Sequence, residues 1–318
     1  MLQYLIILLD DTSVSYCHYE NTKTERRLIS LDDLKTGIFF AMKQNLMIQF
    51  VYPDYELPEE YGQVIQSIDN HKIAPCSILS DETNVCVTCE WEKLPQEADT
   101  FSKEFVWVLR ISKNNLFSNY EKLSLRIKAI KRLNLVITDV DTFREEDFSI
   151  YKKVLSHFQT VLKEQYSQDL YPQFNLLSDR ILLDSMNNCN AGVENITLAP
   201  NGRFYICPAF YQENEMDSVG NLTIGPDITN RVLYRLDHAP LCRICDAYQC
   251  KRCVWLSRKT TLEVNTPSHE QCVVAHLERN AGRELLLELQ QSENRFSGKS
   301  IEEIDYLDPF DIRKRERE

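Results

Sequence analysis

Seven of the eleven cysteines in this 318-residue chain fall within its last 130 residues: Cys189, Cys207, Cys242, Cys245, Cys250, Cys253 and Cys272. Two CxxC pairs, Cys242-Arg-Ile-Cys245 and Cys250-Lys-Arg-Cys253, stand only four residues apart. A CxxC turn aims two thiolates at one metal centre, the arrangement used for zinc and for iron–sulfur clusters. Seven ligands are too many for one tetrahedral ion. They suit two clusters, one complete and one short of a protein ligand. Zinc ribbons usually separate their knuckles by about 15–20 residues. A four-residue gap is closer to the dense ligation of ferredoxin-type clusters. Zinc is the alternative.

The elements around these cysteines divide the chain by texture. Residues 1–180 alternate strands and helices. Strands are expected at Tyr4–Leu9, Met47–Tyr52, Asn84–Cys89, Phe105–Ile111 and Leu135–Asp139. Ser30 is placed to cap a helix with Leu34, Ile38, Ala41 and Met42 on one face. A second helix is expected over Leu116–Leu133, and a third carries Phe148, Tyr151, Leu155, Phe158 and Leu162 at helical spacing. Such alternation predicts an α/β fold with a mostly parallel sheet. The stretch is too short for a closed eight-fold barrel, so a partial barrel or open sheet is expected. Residues 181–288 are punctuated by Gly, Pro and Cys, as in a loop-rich domain held by metal. Residues 289–318 read as a charged, solvated tail. Its apolar positions Ile301, Ile304, Tyr306, Leu307, Phe310 and Ile312 offer a docking patch as the other reading.

A net charge of −12, from 36 basic and 48 acidic residues, argues against nucleic-acid binding, which depends on phosphate neutralisation. No stretch approaches a membrane span. The apolar start, Leu5 to Leu9, lacks a basic flank and runs into Asp10-Asp11, so a buried strand is expected rather than a signal peptide. These features predict a cytoplasmic protein whose cysteines are ligands or core residues rather than disulfides. Cys86 and Cys89 lie three apart in a strand and face opposite ways. They, with Cys17 and Cys76, read as core residues before ligands. The six histidines show no paired metal spacing, and no Walker, GxSxG or dinucleotide motif is present.

Written out, the cysteine pattern is C-x12-G-x4-C, then C-x2-C-x4-C-x2-C, then C. The glycine is Gly202, in a turn Pro200-Asn201-Gly202 before the strand Arg203–Ile206 that delivers Cys207. This resembles the SPASM domain, the auxiliary-cluster domain of radical SAM peptide-modifying enzymes. The first half fits the family pattern. The second has two gaps one residue short, at Asp246–Gln249 and at Lys251-Arg252. The resemblance implies two [4Fe–4S] clusters, one on Cys189, Cys207 and Cys253, the other on Cys242, Cys245, Cys250 and Cys272. Asp184 is the sequence's nearby candidate for the first cluster's fourth ligand.

A radical SAM enzyme also needs CxxxCxxC after its first strand. Here that place reads Asp10-Asp11-Thr-Ser-Val-Ser-Tyr-Cys17, so no S-adenosylmethionine binding is expected in this chain. The whole chain is similar to the CXXX repeat peptide maturase family through Tyr4–Thr12, Ile48–Pro53 and the SPASM cysteines. That resemblance implies an accessory subunit, not catalytic alone. It would join a radical SAM maturase in a hetero-oligomer and serve a ribosomally made, cysteine-containing precursor peptide by electron transfer or peptide binding. The acidic pair Asp10-Asp11 reads first as solvated. The alternatives are a stand-alone iron–sulfur electron-transfer protein and a zinc-stapled adaptor.

Overall fold

The computed structural model describes residues 1–96, 105–292 and 296–303. Along the chain, β1 (Tyr4–Leu8), α1 (Leu31–Gln44), β2 (Met47–Val51), α2 (Glu59–Gln66), β3 (His71–Pro75) and β4 (Thr83–Thr88) come first. Next are β5 (Val106–Ile111), α3 (Lys113–Ile127), β6 (Arg132–Ile137), α4 (Glu145–Tyr166), β7 (Gln173–Phe174) and α5 (Ser178–Leu182). Then follow β8 (Asn195–Leu198), β9 (Phe204–Tyr205), α6 (Pro208–Glu213), β10 (Gly220–Asn221) and β11 (Gly225–Pro226). The described helices end with α7 (Val254–Thr261) and α8 (His269–Ser292). The chain gathers into two compact units. One comprises Met1–Thr88 with Asn190–Ala239, the other Cys89–Cys189 with Pro240–Glu318.

In the first unit, β1 is the buried strand its apolar run predicts. It pairs in parallel with β2 on one side and β8 on the other, so Leu5, Ile7 and Leu8 are lost to solvent on both faces. Strands β3 and β4 extend the parallel series beyond β2, and β9 turns back antiparallel on β8. That hairpin uses Gly202 at φ +72°, where a side chain is strained. Ser30 caps α1 as expected, its side chain accepting from the Asp33 N–H at 3.0 Å. Leu34, Ile38 and Ala41 enter the core, but Met42 is exposed. Gly37 takes the inward place, where an added Cβ would lie 2.4 Å from Leu198 Cδ2. Close helix-to-sheet packing therefore needs a residue without a side chain.

In the second unit, β5, β6 and β7 pair in parallel. Helix α3 stops at Ile127, short of the expected Leu133. Leu133, Leu135 and Ile137 are buried alternately in β6, a strand period that outweighs the helical reading. The expected face of α4 is buried in full. It packs along α8, a 24-residue helix that delivers Cys272. Polar contacts tie the two helices: Gln159 Nε2 donates to the Ala281 carbonyl at 2.6 Å, and Lys163 pairs with Glu288 at 3.0 Å. Residues 296–303, read as the start of a charged tail, pack along this unit. Gln290 Nε2 donates to the carbonyls of Phe296 and Lys299, and Ile301 is buried. Ile304, Tyr306, Leu307, Phe310 and Ile312 lie outside the described residues. Among the described residues no helix is long and apolar enough to cross a membrane.

Candidate metal centre

Cys242, Cys245, Cys250 and Cys272 line one cavity of about 250 Å³ in the second unit. Three come from the irregular stretch 242–250 and the fourth from the first turn of α8. Arg252, Gln271 and His276 share the lining with apolar residues that include Leu241, Ala247 and Pro267. This is the second ligand set drawn from the sequence, brought together from positions 30 residues apart.

The loop is fastened to α8 by Asp246, which follows Cys245. Arg279 grips its carboxylate through Nη2 at 2.7 Å and Nε at 3.1 Å, and Arg180 adds a contact at 3.3 Å. Burial works to raise the Asp246 pKa. The hydrogen bonds and charge of Arg279, with Arg180, outweigh it and hold the carboxyl below its ordinary value. Gln249 reaches the Ala275 carbonyl at 2.7 Å. Cysteines on an irregular loop are thereby set against a rigid helix.

Backbone amides point at the sulfurs. The Ala247 N–H approaches Cys245 Sγ at 3.5 Å and the Arg252 N–H approaches Cys250 Sγ at 3.5 Å. His276 Nε2 stands 3.6 Å from Cys245 Sγ. Burial pushes the Cys242 thiol up to about 11 and the Cys250 thiol up to about 12. Each gives up its proton at neutral pH only in exchange for a bound cation. Four cysteines lining one cavity, with amides aimed at two of the sulfurs, fit a cysteine-ligated metal group. Among the described residues no three His, Cys, Asp or Glu converge on the position of a single ion.

Two members of the other ligand set also lie in this unit. The Cys189 N–H donates to the Lys251 carbonyl at 3.1 Å, and the Asn187 N–H to that of Tyr248 at 2.8 Å. The segment carrying Cys189 is thus stitched beside the second CxxC. Cys253 caps α7, its sulfur accepting from the Leu256 N–H at 3.5 Å. Cys207 belongs to the first unit, at the N-terminus of α6. Asp184 is 92% exposed at its side chain and ion-paired with Lys299 at 3.2 Å.

The first unit places acidic residues where β1 ends. Asp10 and Asp11 are both buried, and the solvated reading of this pair is corrected. Asp10 accepts from the Thr12 N–H and hydroxyl at Oδ1 and from Tyr55 at Oδ2. Asp11 pairs with Arg27 at 3.0 Å and accepts from the Tyr211 hydroxyl. Arg27 and Lys23 both reach Glu215. Burial opposes ionisation of Glu215, but hydrogen bonds and charge from Lys23 and Arg27 hold it at about 2. The loop after the first strand is therefore a closed ionic network.

Cys76 and Cys86 come together, Sγ to Sγ 2.7 Å, and Cys86 is fully buried. A hydrogen bond shared with Cys76 and burial raise the Cys86 pKa. Cys89 is exposed, with Arg110 Nη1 3.8 Å from its sulfur. Cys17 is half-buried.

No family model matches the sequence, and no curated protein does. The fold has relatives among solved structures. A histidine-tagged form of anSMEcpe with bound AdoMet, an anaerobic sulfatase-maturating enzyme, superposes with a TM-score of 0.65 at 12% identity. That match covers 93% of this chain and 97% of the other. Native anSMEcpe with bound AdoMet and Cp18Cys peptide gives 0.62 at 13% identity, covering 91% and 100%. The same enzyme with Kp18Cys peptide gives 0.63 at 11%, covering 91% and 100%. The chain therefore shares the mixed α/β fold of these structures, with mostly parallel strands and covering helices.

Proposed function

We propose that this chain is an accessory iron–sulfur subunit of a peptide-maturing system. It holds a [4Fe–4S] cluster on Cys242, Cys245, Cys250 and Cys272, with Cys189 and Cys253 serving a second. It works beside a separate radical SAM enzyme on a ribosomally made, cysteine-containing peptide. The observation that carries this reading is the four-cysteine cavity, in a chain with the fold of an enzyme solved with AdoMet and cysteine peptides. When bound, a cluster of this kind supplies one-electron transfer. This chain's own residues supply thiolate ligands, amides directed at sulfur and a helix that fixes the loop.

The accessory role draws its support from the first unit. CxxxCxxC is absent, and in the loop that would carry it Asp11 is paired with Arg27 and Tyr211, while Asp10 is held by Thr12 and Tyr55. The zinc-stapled adaptor is less well supported, because zinc-ribbon knuckles usually stand about 15–20 residues apart and these CxxC pairs are separated by four.

Two measurements test the role. Reduced with dithionite and given S-adenosylmethionine, the chain alone is expected to release no 5′-deoxyadenosine. Tagged and purified anaerobically from its native cells, it is expected to bring down a CxxxCxxC protein near one to one. Release of 5′-deoxyadenosine by the isolated chain would make it an enzyme in its own right and sink the accessory reading. Purification as a lone chain at native levels would remove the partner.

A further inference from the structure

This inference deepens the cluster reading above and rests on it. Arg252 is 1% exposed and lines the cavity between the four cysteines. It lies inside the second CxxC pair, with φ at +44°. That left-handed conformation is one a residue with a side chain rarely adopts. A glycine would make the same turn and the same amide contact to Cys250 Sγ without strain. What arginine adds is a permanent cation beside the thiols, steadied by Nε donating to Asn188 Oδ1 at 3.3 Å.

A cluster on four thiolates is anionic, and one-electron reduction adds a further negative charge. A fixed cation in a low-dielectric pocket stabilises the reduced form more than the oxidised one. We infer that Arg252 is the resident countercharge of the cluster held by Cys242, Cys245, Cys250 and Cys272, and that it raises that cluster's reduction potential. The step is a single-electron transfer from a one-electron carrier protein, or from dithionite in the test. No bond forms or breaks, and no proton moves. Arg252 is a positioning residue, acting on the cluster by charge and not by ligation.

The experiment is an EPR-monitored redox titration of wild type, Arg252→Gln and Arg252→Lys, each purified anaerobically with iron and sulfide counted. The signal belonging to this centre is identified by its loss in Cys242→Ala. In Arg252→Gln the equilibrium constant for reduction is expected to fall at least tenfold, a potential lower by about 59 mV or more for one electron. Arg252→Lys is expected to recover more than half of the shift, with iron unchanged in both. Equal potentials in all three proteins overturn the inference. So does loss of iron from both variants with unchanged circular dichroism, which would make Arg252 part of the cluster's scaffold. Wild type without sulfide overturns the cluster reading itself, and is told apart by that measurement.

Discussion

Alanine at both Cys242 and Cys250 is expected to remove about four irons and four sulfides per chain, the content of one cubane cluster. Alanine at Cys89 is expected to leave both counts unchanged. The first pair supplies two of the four thiols around the cavity, and soft thiolate ligands have no replacement among its apolar neighbours. Cys89 is exposed in a different segment. The double variant should still fold, because α4 and α8 pack through their own apolar and polar contacts. Iron and sulfide analysis, with circular dichroism as the check on folding, decides it. Full iron in the double variant would show that these thiols hold no metal.

Glu278→Gln is expected to flatten the pH dependence of stability between pH 5 and 8. Glu278 is buried on α8, facing Tyr151 and Gln249. Burial raises its pKa to about 7, more than the hydrogen bonds from Tyr151 and Gln249 lower it. In the unfolded chain a glutamate titrates near about 4.3. Between those values the folded state binds the extra proton, so stability is fully present below about 4.3 and is lost as pH rises through 7. The whole loss amounts to roughly 4 kcal/mol. Glutamine stays neutral and keeps an oxygen for the Tyr151 hydroxyl. Thermal melts of both proteins at pH 5.5 and 8 should show a smaller fall in Tm for the variant. Parallel falls would mean that Glu278 is already ionised in the folded protein at low pH.

The sequence was informative wherever one residue type or one period carried the signal. The cysteine order made a cluster domain legible, and the family resemblance it carries grouped the four residues that line the cavity. Strand β1 and the buried face of α4 were legible from apolar runs and helical spacing. Helix α8 was not, because its core face includes His276, Glu278 and Arg279, which break the apolar stripe that identifies a buried helix. Strand β3, His71-Lys-Ile-Ala-Pro75, is short and half polar, and its place depends on pairing with β2 and β4. The burial of Asp10 and Asp11 was hidden for a related reason. Their partners Arg27, Tyr55 and Tyr211 lie up to 200 residues away. The same holds for Cys76 and Cys86, whose closeness follows from adjacent strands and from no motif.

The most direct test of the account is the iron, acid-labile sulfide and zinc content of the protein purified without oxygen. About eight irons and eight sulfides per chain, the content of two four-iron clusters, are expected, with zinc negligible. About one zinc per chain and no sulfide would contradict this, and would make the cysteine cavity the staple of an adaptor protein.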